Sequence, residues 1–285
     1  MDLFLQVLVS SVLLAAVYYV LSLGLNIIFG VLDIVNFAHG ALIILGSYAT
    51  YFIYEATGIS PWLLILVDML VVGGIGAILY LGYLRFTVPS PLVRMFALIG
   101  FSSVVVSALL AVAGSDFRRI PLDYGSVVIL GLPVRVSQLI AFGVAVVLGG
   151  VTLVLLNYTK IGKAVRAVVD DRTAVRLCGI NDRRLSLLAF SAGAGLAGAA
   201  GGVIATYVTF GPDSGLSFAI IAFAVVILGG LGDLVSAALA SLVVAFVLSG
   251  VTVYWSSSLT NTALFLLVLL VLLVRPRGLL GRGRV

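Results

Sequence analysis

The sequence is poor in charge. Only 9% of its 285 residues are Asp, Glu, Lys or Arg, against roughly 25% in soluble domains. With 62% hydrophobic residues and a mean hydropathy of +1.30, 16 basic and 11 acidic side chains cannot cover the surface of a water-soluble protein of this size. Cysteine is nearly absent: Cys178 stands alone, which excludes a disulfide within the chain. Histidine is represented by His39 alone, so a His/Cys metal cluster would lack ligands. The pattern GxxxxGK[ST] does not occur, and Gly162-Lys163 is followed by Ala164. The chain therefore has no phosphate-binding loop, and any ATP-driven work falls to another subunit. GxSxG, HExxH and paired cysteines are missing too. These absences exclude a soluble enzyme, a secreted disulfide scaffold and a disordered chain.

What the sequence does contain is long, uncharged apolar runs, the signature of membrane-spanning helices. The expectation is an all-α polytopic helix bundle forming one transmembrane domain over residues 1–285. Met1-Asp2-Leu3 offers no basic n-region and the first apolar run is too long for a signal h-region, so no cleavable signal is expected. Spans are predicted at about 3–29, 40–54, 62–83, 95–113, 137–156, 186–207, 217–231, 235–254 and 259–274, eight or nine in all. The count depends on whether the GGLGD break inside 217–254 is a tight turn or a re-entrant bend. Residues 115–136, with a β-like run around Gly131, read as an extracytoplasmic hairpin.

The net charge of +5 follows from the gathering of Lys and Arg in cytoplasmic loops rather than from nucleic-acid binding. Segment 157–184 carries seven basic residues against three acidic ones, and the tail 275–285 adds Arg275, Arg277, Arg282 and Arg284. Both segments are expected in the cytoplasm, with 85–94, while 115–136 and the N-terminus lie outside.

Three segments carry potential chemistry. In the first, Asn26, Asp33, Asn36 and His39 fall within fourteen residues punctuated by glycines 24, 30, 40 and 46. That density of polar groups at membrane depth suits a broken helix lining a solute path, with Gly40 beside it. An ordinary loop between two spans has the same composition. In the second, Lys160 to Leu177 reads as one amphipathic helix, capped by Asn157 or Thr159, with an Arg166–Asp170 pair one turn apart and Gly179 as its C′ residue. Such a helix lies on the membrane surface or docks into a protein groove; its short apolar face and alternating charges favour the groove. In the third, Ala194, Gly198 and Gly202 recur every four residues, the small-xxx-small pattern of a close helix crossing. A fainter echo pairs Gly30-Val31-Leu32-Asp33 with Gly230-Leu231-Gly232-Asp233, as related transporter halves would.

The run GLNIIFGVLDIVNFAHGALIILGSY, with Asn-Phe-Ala-His-Gly at 36–40, resembles the permease subunits of branched-chain amino acid ABC importers, the LivH-type family. IGKAVRAVVDDRTAVRLCGIN, LSLLAFSAGAGLAGAAGGVIA and VLLVRPRGLLGR resemble the family's cytoplasmic loop, the glycine-rich span after it and its usual ending. Some members carry Glu after the His-Gly pair, where this chain has Ala41. The resemblance implies a five-part importer in the bacterial inner membrane, with a second, LivM-like permease, two ABC ATPases holding ATP and Mg, and a periplasmic or lipid-anchored solute-binding protein. In that setting Lys160, Gly162, Arg166, Asp170, Ala174, Gly179, Ile180 and Asn181 would form the coupling helix. Asn26, Asp33, Asn36, His39 and Gly40 would lie beside the solute path, and no cofactor would sit in this chain. The rival expectation is a stand-alone carrier or channel using Asp33, Asp68 and His39 as an ion relay.

Overall fold

In a computed structural model, residues 2–86, 91–230, 232–275 and 278 are described. The chain is a helix bundle, built in order from α1 (Asp2–Leu32), α2 (His39–Thr57), α3 (Pro61–Gly82), α4 (Pro91–Ala113), α5 (Val136–Tyr158), α6 (Lys160–Asp170), α7 (Arg172–Leu177), α8 (Asp182–Tyr207), α9 (Ser214–Gly229), α10 (Leu234–Tyr254) and α11 (Thr260–Val274). Among the described residues, seven helices are long and apolar enough to cross a membrane. The shorter α9 and the more polar α2 are embedded among them, giving nine segments, the upper figure of the eight or nine expected. The hairpin is present as strands β1 (Ser126–Ile129) and β2 (Leu132–Arg135), paired antiparallel. Its two-residue turn, Leu130-Gly131, has positive φ at both positions, as a type I′ hairpin turn requires.

The central helix is α8. Every residue from Gly193 to Thr206 is buried, because small side chains on all its faces let neighbours approach to backbone distance. On the face of Ala194, Gly198 and Gly202 lies α3: a Cβ built on Gly198 would stand 2.7 Å from the Asp68 carbonyl oxygen, and one on Gly202 2.9 Å from Ile65. The expected small-residue crossing is real. The opposite faces were not anticipated, and there Gly193 meets Gly24 of α1 while Gly201 meets Ile43 of α2.

The packing is doubled. As α1 packs on α10, α8 packs on α3; as α2 packs on α3 and α4, α9 packs on α10 and α11. The two sets, α1–α4 and α8–α11, cross each other where Gly24 faces Gly193 and Gly40 faces Gly215, each glycine's absent side chain occupied by its partner's backbone. Helix α1 runs toward the end that holds α6 and α7, whereas α8 runs away from it, so the sets are inverted repeats. The GVLD and GLGD echo marks something else. Its glycines 30 and 232 touch each other across the α1–α10 seam and are not equivalent positions in the two halves.

One open alternative is decided and one expectation changes. The GGLGD break is a tight turn, with Gly230 and Gly232 at positive φ and Asp233 capping α10 by accepting from the Val235 and Ser236 amides at 2.9 and 3.2 Å; Leu231 lies outside the described residues. The helix expected over 160–177 is two helices. Asp171 adopts an extended backbone and caps α7 by accepting from the Thr173 and Ala174 amides at 2.8 and 3.1 Å, which ends α6 one residue earlier.

A test of the crossing follows. Gly40→Val thrusts a side chain into the Gly215 carbonyl, and overpacking of this kind costs about 1–3 kcal/mol. Gly250, inside α10 with open space around it, is the control, since Gly250→Ala gains roughly 0.5–1 kcal/mol of helix propensity. Thermal unfolding in detergent is expected to show the first variant less stable than the parent and the second equal or better.

Candidate functional site

Both halves contain a helix interrupted partway. After Leu32 the chain leaves α1, runs through residues 33–38 and starts α2 at His39, whose Nε2 donates to the Leu21 carbonyl oxygen at 2.8 Å. Leu21 lies eleven residues before the end of α1, about 16 Å along the axis. Six residues of extended chain reach about 20 Å, so segment 33–38 doubles back alongside α1 and α2 begins in the interior of the bundle. The second half repeats this. Residues 208–213 turn back after Tyr207, and the second residue of α9, Gly215, meets the second residue of α2, Gly40. Even the turns correspond: the His39 amide donates to Asn36 O at 3.1 Å and the Ser214 amide to Gly211 O at 3.0 Å.

Non-helical backbone inside an apolar layer needs partners for its polar groups. In the second break the strand-like residues 118–120 supply them. Arg118 and Phe210 exchange backbone hydrogen bonds at 2.8 and 2.9 Å, and the buried Phe210 ring stands edge-on to Tyr48 at 5.1 Å. The first break is open on one side. Its residues alternate, Ile34, Asn36 and Ala38 buried and Asp33, Val35 and Phe37 exposed, as an extended segment with one free face does. Asp33 holds φ +53, a left-handed conformation that a side chain other than glycine adopts at a cost.

The polar residues singled out from the sequence divide between these surroundings. Asn26 is buried in α1 and grips the α9–α10 turn, donating from Nδ2 to the Asp233 carbonyl at 3.2 Å and accepting from the Gly232 amide at 2.7 Å. Asn36 is buried; its Oδ1 accepts from the Ala38 amide at 3.1 Å, while its Nδ2 is without a hydrogen-bond partner. His39 is fully buried, with Nε2–H engaged and Nδ1 unpartnered. Gly40 lies against Gly215, and Asp33 alone among the five is on the open face. Val35 and Phe37, which complete that face, carry no polar signal, so composition could not find them. Asp68 is buried in α3, where Thr50 of α2 donates to its Oδ2. No hydrogen bond among the described residues connects Asp33, Asp68 and His39.

At one end of the bundle α6 and α7 form a knob. Thr159 caps α6 by accepting from the Gly162 amide at 3.0 Å, and Gly162 is pressed against the Leu155 and Leu156 carbonyls. Arg166 reaches backward, donating to Leu156 O at 2.6 Å and to the Asn157 side chain at 2.8 Å; the side chain of Asp170, its expected partner, lies outside the described residues. Val168 and Val175 are buried beneath the knob, and Arg172 donates to the carbonyl of Val31 near the end of α1. Gly179, at φ +77, closes α7 as a C′ residue: its amide donates to Arg176 O at 3.0 Å and that of Ile180 to Val175 O at 3.2 Å, the Schellman arrangement. Asn181 caps α8 by accepting from the Arg184 amide at 3.1 Å. Lys160, Ala174, Gly179, Ile180 and Asn181 are exposed, and Leu177 projects at the apex with 85% of its surface free. Arg275 follows α11, and Gly278 packs against Gly230 near the α9–α10 turn at this end; Arg277, Arg282 and Arg284 lie outside the described residues.

Inverted halves with paired interior breaks define a membrane transport protein. The chain belongs to the family of permease components of branched-chain amino acid transport systems, whose model matches residues 7–274. It is 29% identical over 303 residues to the high-affinity branched-chain amino acid transport permease LivH of Salmonella typhimurium, covering 99% of this chain and 97% of that protein. It is 27% identical over 299 residues to BraD of Pseudomonas aeruginosa, with the same coverage. Against the LivM permease of Escherichia coli identity is 26%, over 95% of this chain and 69% of that protein. No solved structure matches.

The division of roles has a measurable consequence. Asn26→Leu removes the two hydrogen bonds to the Gly232 amide and the Asp233 carbonyl and is expected to cost about 0.5–1.5 kcal/mol for each. Asp33→Gly relieves a left-handed backbone and is expected to leave stability unchanged or raised by about 1 kcal/mol. Thermal unfolding of the two purified variants beside the parent reads both.

Proposed function

We propose that this permease is one of two membrane-spanning subunits of an ATP-driven importer in the bacterial cytoplasmic membrane, moving a branched-chain or related amino acid inward by alternating access. The observation that carries the reading is the knob. An exposed apolar apex, Leu177 with Ile180, is carried on a frame tied to α1 by Arg172, to α5 by Arg166 and to the start of α8 by the Arg176–Asp182 ion pair at 2.5 Å. A surface element so fixed is built to receive a push from a partner and pass it to the helices. Two ABC ATPases would hold ATP and Mg and seat the knob in a groove. The second permease would be LivM-like, as LivH and LivM are both permease proteins of branched-chain amino acid transport systems.

Orientation follows the charge. Arg85, Arg94, Lys160, Lys163, Arg166, Arg172, Arg176, Arg183, Arg184 and Arg275 gather at the knob end, against Arg118, Arg119 and Arg135 at the other, so the knob faces the cytoplasm. The hairpin then meets the solute-binding protein outside. The open face of Asp33, Val35 and Phe37 lies toward the path, held in place by the buried Asn36 and His39. Stalling the α1 break or the α9 break would be enough to stop the exchange of inward and outward states.

Leu177→Glu tests the docking claim, because that side chain supports nothing inside the permease. The variant is expected to keep the parent's elution profile while losing roughly tenfold in co-purifying ATPase and in uptake, the scale of a lost apolar anchor at an interface. Normal uptake with a full ATPase complement removes the coupling role. On the path side, Phe37→Ala is expected to change the KM or kcat of uptake with assembly intact.

A further inference from the structure

Between the end of α3, the beginning of α4, α7 and the beginning of α8 lies a cavity of about 390 Å³ whose wall contains Arg85, Arg94, Arg172, Arg176 and Arg183. The single acid in the wall, Asp182, is already taken by Arg176, which binds it through Nε at 3.0 Å and Nη2 at 2.5 Å. No other ion pair to these arginines occurs among the described residues. Four further arginines thus line one space with no carboxylate of the wall left to pair them; outside the wall, Asp33 at the end of α1 is the acid whose charge reaches Arg94, one carboxylate against four guanidinium groups. Arg94 has its Nε buried and without a hydrogen-bond partner. Like charges brought together in this way are repulsive unless an anion sits among them.

The surroundings say which anion. The cavity is at the edge of the apolar layer, where α1 ends at Leu32 and the buried Leu84 follows the end of α3. A second opening shares Tyr80, Arg85, Phe86 and Arg183 with it and emerges past Leu81 and Leu187. Immediately beside the arginines, Phe86 and Phe96 are each 65% exposed and Leu92 is 64% exposed, and the Arg85 guanidinium lies over the Phe86 ring at 4.3 Å. A free phosphate would use only the arginines. A ligand with a phosphate head and hydrocarbon tails uses both, and basic pockets between helices at the membrane edge are the usual seats of such heads.

We propose that this cavity binds the headgroup of an anionic phospholipid, with the acyl chains along Phe86, Leu92 and Phe96. The phosphate occupies the space between Arg85, Arg94 and Arg183 and neutralises the arginine ring where α7 of the knob meets α3, α4 and α8. Assignment to the cytoplasmic leaflet rests on the orientation proposed above; the binding does not.

The test uses the full chain, purified with the proteins that accompany it, in nanodiscs of phosphatidylcholine alone or with phosphatidylglycerol, and counts the lipids retained in native mass spectrometry. Retention of phosphatidylglycerol over phosphatidylcholine is expected, and Arg85→Gln with Arg94→Gln is expected to reduce it roughly fivefold, while the two Lys replacements keep part of it. Should the double Gln variant fail to elute as the parent does, Arg183→Gln replaces it, since among the described residues that guanidinium makes no hydrogen bond or ion pair. Equal retention of both lipids, or unchanged phosphatidylglycerol retention in the Gln variants, overturns the proposal. Displacement of the lipid by inorganic phosphate also overturns it and assigns the cavity to a free anion. Because both leaflets carry the lipid and no transport is measured, failure here leaves the importer reading untouched.

Discussion

Everything in this bundle depends on backbone meeting backbone at two crossings. Between Gly24 and Gly193, and between Gly40 and Gly215, the space a side chain would fill is occupied by the other helix's carbonyl group. In an apolar solvent helices gain nothing from hiding apolar side chains, so association rests on close van der Waals contact. Those two contacts bring α1 to α8 and α2 to α9 and thereby join the inverted halves. They also fix the depth of both breaks, because α2 and α9 begin one residue before their crossing glycines. A side chain at any of the four positions would separate the halves and strand the interrupted backbone that they enclose.

The two breaks share a turn but not their surroundings. Around 208–213 the chain from 117 to 120 lies alongside, Phe210 fills the space, and the backbone is satisfied by Arg118. Around 33–38 one side is left partly open: Asp33, Val35 and Phe37 are exposed there, with the Phe37 ring 6.1 Å from that of Phe223 in α9. The buried side, Asn36 and His39, spends its hydrogen bonds on the segment and on α1, and leaves the Asn36 Nδ2 and the His39 Nδ1 unpartnered. Polar groups at membrane depth need not touch the solute to be required. Here they hold a shape.

That distinction explains what was legible in the sequence. Apolar runs, the glycine periodicity of α8, the hairpin turn at Leu130-Gly131, the Thr159 cap and the Gly179 stop were all readable, because each depends on residues near one another in the chain. The break near Asp33 was readable too, since polar residues and glycines crowd together there. The second break was not: Val208-Thr209-Phe210-Gly211-Pro212-Asp213 looks like an ordinary loop between spans, and its depth is set by Gly215 meeting a residue 175 positions earlier. The same holds for Asn26, whose partners at 232 and 233 lie on the far side of the fold. The split of 160–177 was missed for a local reason. In the pattern Asp171 is one of several alternating charges within a continuous amphipathic run, whereas its short carboxylate competes for the amides of the next turn and starts a new helix.

The placement of the knob ties these threads together. Arg172 bonds the carbonyl of Val31, two residues before Asp33, and Val169 approaches Gly30, which itself meets Gly232 of the α9–α10 turn. The knob is therefore anchored on the hinge of the open break and beside the turn that ends the other half's inner helix, not merely on the nearest span. A rigid displacement of α6 and α7 would act on the end of α1 and on the base of α9 together. Because Asn26 already clamps α1 to that turn, the two cannot move apart independently. Under the coupling role proposed for the knob, this geometry would convert one push at the surface into a joint movement of both halves about the glycine crossings.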